Sequence, residues 1–415
     1  MNVFLKNISV LLTPLGKAAQ KGEAMKHLHE EKNVDILVQD GYFERIGNSL
    51  EAALPEETLQ GTKIIDCSGL FATPGLIDPH THIPFFGTRQ EEYYMRLKGA
   101  DYLQILQAGG GILNTTRAVR QASLEQLVEC NEPFCNELFE KGVTVFEGKS
   151  GYGLETSTEI KQLAALEQLE KWAPQKIVKT FLGPHAIPAG FDEGSYMDVV
   201  IEQMLPHVQA QFPELPMVDV FCEEGVFSVA QSRRFLEKAA EMGFPLRLHA
   251  DEIAYLGGSE LAAELGALSA DHLIAIEPAG IMALAKSNTV ATLLPGTSFF
   301  LQKPFAPARQ LIDTGAAVAL ASDFNPGSCT LLDPGWIAHL AAAKLHMEWQ
   351  EILTAQTLNA AAALGIAHAW GSVEVGKESS LVLWDIDDWS LVPYFPGHKL
   401  ARWVLSPKRL QKITI

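Results

Sequence analysis

Two histidines one residue apart, His80 and His82, lie in the run Leu76-Ile77-Asp78-Pro79-His80-Thr81-His82. In an extended chain residues i and i+2 point to the same side, so both imidazoles can reach one ion. Alone, H-x-H is a weak signal, because two surface histidines produce it as readily. It gains weight from His249, followed by Asp251 and Glu252, from the pair Asp271-His272, and from Asp323. Each of these closes a short apolar run. Neutral imidazoles with one carboxylate suit Zn2+ and accommodate Fe2+ or Mn2+. Such an ion brings the pKa of a bound water down to about 7, making a nucleophile at neutral pH. Asp323 can both ligate and accept a proton, while His272 can polarise a carbonyl or shuttle a proton. Around Cys222-Glu223-Glu224 no lysine offers itself as a bridge between two ions, so one divalent ion is expected.

Such residues need elements that gather strand ends. Apolar runs recur at Leu76–Asp78, Thr144–Glu147, Ile177–Leu182, Met217–Phe221, Leu246–His249, Leu268–His272, Thr289–Leu294 and Ala317–Ser322. Amphipathic stretches separate them. Ser123…Gln126, Thr156…Glu159 and Ser228…Gln231 fit capping-box helix starts, and Gly142 and Gly243 fit helix stops. Pro133 falls inside one stretch and is expected to kink or split its helix. Strands alternating with helices over residues 76–365 predict an α/β fold, a (β/α)8 TIM-type barrel, with chemistry at the strand ends. No fixed-period repeat points to a solenoid. Residues 1–75 and 366–415 read instead as short strands and turns. Val34–Ile46 is a hairpin around Asp40-Gly41, and Ser380–Trp384 and Ala401–Leu405 alternate like strands. They predict one small β-sandwich domain built from both chain ends, with the barrel inserted between them.

Composition narrows the partners. The 415 residues carry a formal net charge of −18, with 47% hydrophobic and 20% charged residues. That balance folds, and without a basic block it argues against nucleic acid or an anionic membrane as partner. The five cysteines form no C-x-x-C pair and fit free thiols in a reducing compartment. The first residues lack the pattern of a signal peptide, and no apolar run is long enough to span a bilayer. A cytoplasmic protein is expected.

In this order the residues resemble the amidohydrolase superfamily. The general signals are Thr73-Pro74-Gly75-Leu76-Ile77-Asp78-Pro79-His80-Thr81-His82 and Thr357-Leu358-Asn359 with Leu364-Gly365. Narrower ones are Ala108-Gly109-Gly110-Gly111-Ile112, Lys149-Ser150-Gly151-Tyr152-Gly153-Leu154, Phe181-Leu182-Gly183-Pro184-His185-Ala186, Asp219 to Phe227, His249-Ala250-Asp251-Glu252, Leu294-Pro295-Gly296-Thr297 and Asp323 to Ser328. By that resemblance, His80, His82, His249 and Asp323 hold the metal, Zn2+ first and Fe2+ as the alternative. Arg89, Tyr152, His185 and Glu252 bind substrate, Glu252, His272 and Asp323 carry the catalysis, and Asn325, Gly327 and Ser328 contact substrate or product. The implied reaction is hydrolysis of the ring C–N bond of 4-imidazolone-5-propanoate, a small anionic substrate, to N-formimidoyl-L-glutamate in histidine degradation. A homodimer is also implied.

Read alone, these residues say less. Arg89 offers a bidentate partner for a carboxylate, but also reads as a surface arginine. Tyr152 between two glycines is equally a turn residue, His185 a structural histidine, and Glu252 a support for His249. Gly109–Gly111 reads as a lid and not a phosphate loop. Family members usually continue Gly376-Lys377-Glu378 with Ala-Asp, where this chain has Ser379-Ser380; Cys329 to Leu340 also departs from the usual pattern and could shape substrate fit. Other readings are a deaminase of the same superfamily acting on a nucleobase-like ring, a non-catalytic barrel, and a Schiff-base enzyme using Lys149.

Overall fold

A computed structural model describes residues 1–99 and 110–414. The proposed lid glycines are therefore seen in part: Ala108 and Gly109 lie outside the described residues, while Gly111, at φ 82°, starts the helix Ile112–Gln121.

The chain opens with β1 (Val3–Thr13), β2 (His29–Gln39), β3 (Tyr42–Gly47), β4 (Lys63–Asp66) and β5 (Phe71–Pro74). Asp40 and Gly41 both have positive φ, 51° and 87°, the conformation a two-residue turn between β2 and β3 requires. The barrel strands follow: β6 (Leu76–Asp78), β7 (Val143–Lys149), β8 (Lys176–Phe181), β9 (Met217–Val218), β10 (Phe221–Cys222), β11 (Arg247–Ala250), β12 (Ser269–His272), β13 (Val290–Leu293) and β14 (Val318–Leu320). They form parallel ladders β6-β7-β8-β9 and β10-β11-β12-β13-β14. The fourth expected strand is split at Asp219-Val220, and a Val218–Leu246 bridge carries the ring across that break. Closure comes from Asp323 N donating to His80 O at 3.0 Å and His82 N donating to Phe324 O at 2.9 Å. The same bonds set the first and last strand ends side by side.

The chain finishes with β15 (Leu381–Trp384), β16 (Ala401–Leu405) and β17 (Leu410–Lys412). One sheet runs β17-β16-β15-β5-β1-β2-β3, with β4 also on β1, so both ends of the chain share it. Val3, Leu5, Ile36, Phe43, Leu381 and Leu383 belong to its own apolar cluster, apart from the barrel core. Ser380, one of the departures from the family pattern, sits at the seam with the barrel: its Oγ lies 2.6 Å from Thr144 Oγ1. No helix among the described residues is long and apolar enough to cross a membrane.

Two local expectations need correction. The helix Leu124–Glu140 runs unbroken through Pro133. Leu127 and Asn131 before the proline and Cys135, Leu138 and Phe139 after it are all buried, so packing holds both halves in line. Thr156 does not cap its helix: Glu155 occupies that position, and Glu159 turns its carboxylate elsewhere.

Candidate active site

The side chains that the strand ends present converge on one buried point. The His80 and His249 rings lie 4.6 Å apart, and His249 and His272 5.1 Å apart, centroid to centroid. Asp323 Oδ1 is 3.2 Å from His82 Nε2 and 3.6 Å from His80 Nε2. His80, His249 and His272 each place a ligand atom within 4.8 Å of the others, as do His80, His82 and Asp323. His80 Nε2 and His249 Nε2 are buried with no hydrogen-bond partner among the described residues. An unpaired buried acceptor is costly, and lone pairs converging beside a carboxylate fit a divalent cation.

Those rings are held from behind. Asp271 accepts from His80 Nδ1 and from Arg247 Nη2, both at 2.6 Å. Asp219 accepts from His249 Nδ1 and from Lys149 Nζ, both at 2.9 Å. Glu147 joins the two pairs, 2.6 Å from Lys149 Nζ and 3.0 Å from Arg247 Nη1. Bonds to Nδ1 fix the tautomer that leaves Nε2 free for a ligand role. Sequence reasoning gave Asp219, Asp271, Arg247 and Glu147 no role, and Lys149 a different one. Their signal was charged residues inside apolar runs, with Glu147 two before Lys149, Arg247 two before His249, and Asp271 beside His272. Lys149, the Schiff-base candidate, lies fully buried between Glu147 and Asp219, its ammonium paired with both.

Backbone geometry aims the remaining groups. His272 and Asp323 have positive φ, 77° and 55°, turning the chain sharply where β12 ends and beyond β14. Glu252 sits in a turn held by Glu223, whose carboxylate accepts from Ile253 N at 2.8 Å and Ala254 N at 3.1 Å. Its Oε1 is 3.7 Å from His272 Nδ1. Glu159 accepts from Gly151 N and Gly153 N at 2.8 Å and Leu154 N at 2.7 Å, wrapping the loop that carries Tyr152. His185 stacks on His82 at 5.1 Å and donates from Nδ1 to Gly151 O at 3.0 Å. Tyr152 packs against both rings, so it and His185 belong to the same wall.

The turn after β14 is self-contained. Asn325 Oδ1 accepts from Gly327 N at 2.8 Å and Ser328 N at 2.7 Å, while Nδ2 donates to Asp323 O at 2.7 Å. Much of the polar capacity expected to meet substrate at Asn325, Gly327 and Ser328 is thus spent within the turn. Arg89 lies against Gly327 and borders a cavity of about 970 Å3, whose wall includes Phe85, Phe300, Leu331 and Trp336. Part of the divergent segment after Cys329 therefore faces this cavity.

Burial sets the electrostatics. It holds His80 and His185 well below the ordinary imidazole range, and neighbouring positive groups add to the effect. His249 is brought down to about 4 by burial, against the pull of Asp219. Burial raises Asp323, but His82, His272 and Thr297 outweigh it and bring the carboxyl down to about 2. Burial raises Glu252 above the usual carboxylate range. Between about pH 6.5 and 4 the unfolded chain binds a proton at His249 that the folded chain refuses, so acid favours unfolding. Metal-free protein should accordingly lose Tm as pH falls through that window in scanning calorimetry. A Tm flat from pH 7 to 4.5 would contradict buried neutral imidazoles.

The profile of the amidohydrolase family matches residues 71–410. The chain belongs to the amidohydrolase family. This amidohydrolase is 46% identical over 394 residues to an imidazolonepropionase of Kosmotoga olearia, covering 95% of this chain and 94% of that one. It is 44% identical over 401 residues to an imidazolonepropionase of Bacillus thuringiensis, covering 96% and 93%. Among solved structures it resembles a triazine hydrolase variant, with TM-score 0.77 and 16% identity over 99% of this chain and 94% of that one. A zinc-bound adenosine deaminase of Xanthomonas campestris aligns with TM-score 0.71 and 17% identity over 98% and 93%. At such identities those structures speak for the fold. The (β/α)8 barrel read from the sequence is the fold these relatives share.

Proposed function

We propose that this amidohydrolase adds water across the ring C–N bond of 4-imidazolone-5-propanoate and releases N-formimidoyl-L-glutamate. The imidazolonepropionases alike over 95% or more of this chain carry the reading. We assign one divalent ion, zinc first and iron second, to His80, His82, His249 and Asp323, because the unpartnered His80 Nε2 groups both with His82 and Asp323 and with the likewise unpartnered imidazole of His249. An ion so held supplies Lewis acidity, polarising a carbonyl and acidifying water.

The chain's own groups do the rest. Asp323 accepts the proton that water gives up as its oxygen adds to the ring carbonyl carbon, and Glu252 takes it over from there. The C–N bond then breaks, and that proton passes to the leaving nitrogen. Glu252, its carboxyl raised by burial, holds a proton more readily than an exposed carboxylate does, which suits it to accepting and then releasing one. His272, beside Glu252, polarises the carbonyl or relays the proton. Tyr152 and His185 flank the ring, Arg89 takes the propanoate, and the turn Asn325, Gly327 and Ser328 closes that end. A homodimer in the cytoplasm, without nucleic-acid or membrane partners, completes the reading.

The test is freshly generated 4-imidazolone-5-propanoate with metal-loaded protein, scored for N-formimidoyl-L-glutamate; no product would overturn it. Arg89→Met should raise KM about 30- to 100-fold, the worth of a charge-assisted bidentate bond. A nucleobase deaminase has no carboxylate to anchor, and its turnover would survive that change.

A further inference from the structure

We propose that Glu92 and Arg96 are positioning residues that make Arg89 and the 325–328 turn into one carboxylate subsite. This rests on the reading of Arg89 as the propanoate anchor. Arg89 immediately precedes the helix Gln90–Leu97 and folds its side chain back along it. Its Nε and Nη2 both lie 2.8 Å from Glu92 Oε2, and Glu92 is buried at 5% exposure. That grip leaves Nη1 uncommitted to Glu92. The guanidinium packs on the bare α-carbon of Gly327, where a methyl group would overlap it. The arginine is therefore gripped along one edge and faced by backbone on its flank.

Arg96 lies seven residues on, two helical turns along the same face. Its Nη2 donates to Gly327 O at 3.0 Å, and its guanidinium stands 5.8 Å from the Phe300 ring. Arg96 Nη1 is buried and has no hydrogen-bond partner among the described residues. Two guanidiniums against one carboxylate leave one net positive charge beside Gly327. That matches a single anionic group, on a chain whose overall charge of −18 repels it. Gly327 N is tied to Asn325, and Asn325 to Asp323. Arg96 is thus linked by hydrogen bonds through this turn to a proposed metal ligand, and Arg89 packs on the same turn, which sets the distance between the bound carboxylate and the reacting carbonyl.

Steady-state kinetics of Glu92→Gln, Arg96→Lys and Arg96→Met test this, each alone and in an Arg89→Met background. Two substrates are used, 4-imidazolone-5-propanoate and a methyl-substituted imidazolone without the carboxylate. Each single variant should raise KM for the propanoate about 5- to 20-fold with kcat within about 3-fold. On the carboxylate-free ring the variants should match the parent, and in the Arg89→Met background their effect should vanish. Equal penalties on both substrates, or full effects retained without Arg89, would overturn the positioning role. So would unchanged KM in all three singles while Arg89→Met alone raises it. Unchanged KM in Arg89→Met would bring down the anchor reading itself, and this inference with it. Glu92→Gln keeps the shape and an acceptor, and Arg96→Lys keeps the charge, so a misfolded Arg96→Met leaves the test intact.

Discussion

Asp323→Asn should lower kcat by at least about 10³-fold and release most of the bound metal. The carboxylate sits where two roles coincide. Oδ1 faces His82 Nε2 and His80 Nε2, while Oδ2 accepts from Thr297 Oγ1 at 2.5 Å. With its carboxyl held near 2, it is ionised throughout the neutral range. An amide of the same shape keeps the packing but withdraws the charge, and can turn an N–H toward the lone pairs that should face the ion. Metal analysis after dialysis, paired with initial rates, separates the losses. A variant that keeps stoichiometric metal and near-parental kcat would refute Asp323 as ligand and proton acceptor.

Glu252→Gln should divide the two roles. Here kcat should fall about 10²- to 10³-fold, the usual worth of a placed acid–base group, while metal content stays at parental level. Glu252 is not among the groups that converge on the cation position. It stands beside His272 instead, in a turn clamped by Glu223. Because burial raises its carboxyl, the parental rate should climb with pH through a limb above the ordinary carboxylate range. The glutamine variant should lack that limb. Loss of metal together with activity would reassign Glu252 as support for the ion.

Much of this is legible in the amino-acid sequence. Strand ends at Asp78, His249, His272 and Asp323 were visible because alternating apolar runs and helix signals are local properties. H-x-H needed only the period of an extended chain. The Asp219–Lys149–Glu147–Arg247–Asp271 chain was not visible, since its members come from three strands and the break between β9 and β10 and meet only when the barrel closes. Glu159 misled for a related reason. Its spacing from Thr156 satisfies a local capping rule, yet the loop at Gly151–Leu154 offers three backbone N–H groups and wins the carboxylate. Pro133 shows the reverse, a local rule overridden by buried neighbours on both sides.

The pairing of β5 with β15 has a consequence for how the chain is made. Thr73 pairs with Val382, and Trp384 Nε1 donates to Thr73 Oγ1 at 2.8 Å. On the ribosome, β5 emerges while its neighbour on that edge is some 300 residues from synthesis. Until then the nascent sheet offers an open edge, a template for pairing with other chains. The barrel must therefore be built while that edge waits, and β15 covers β5 only after the barrel strands have been made.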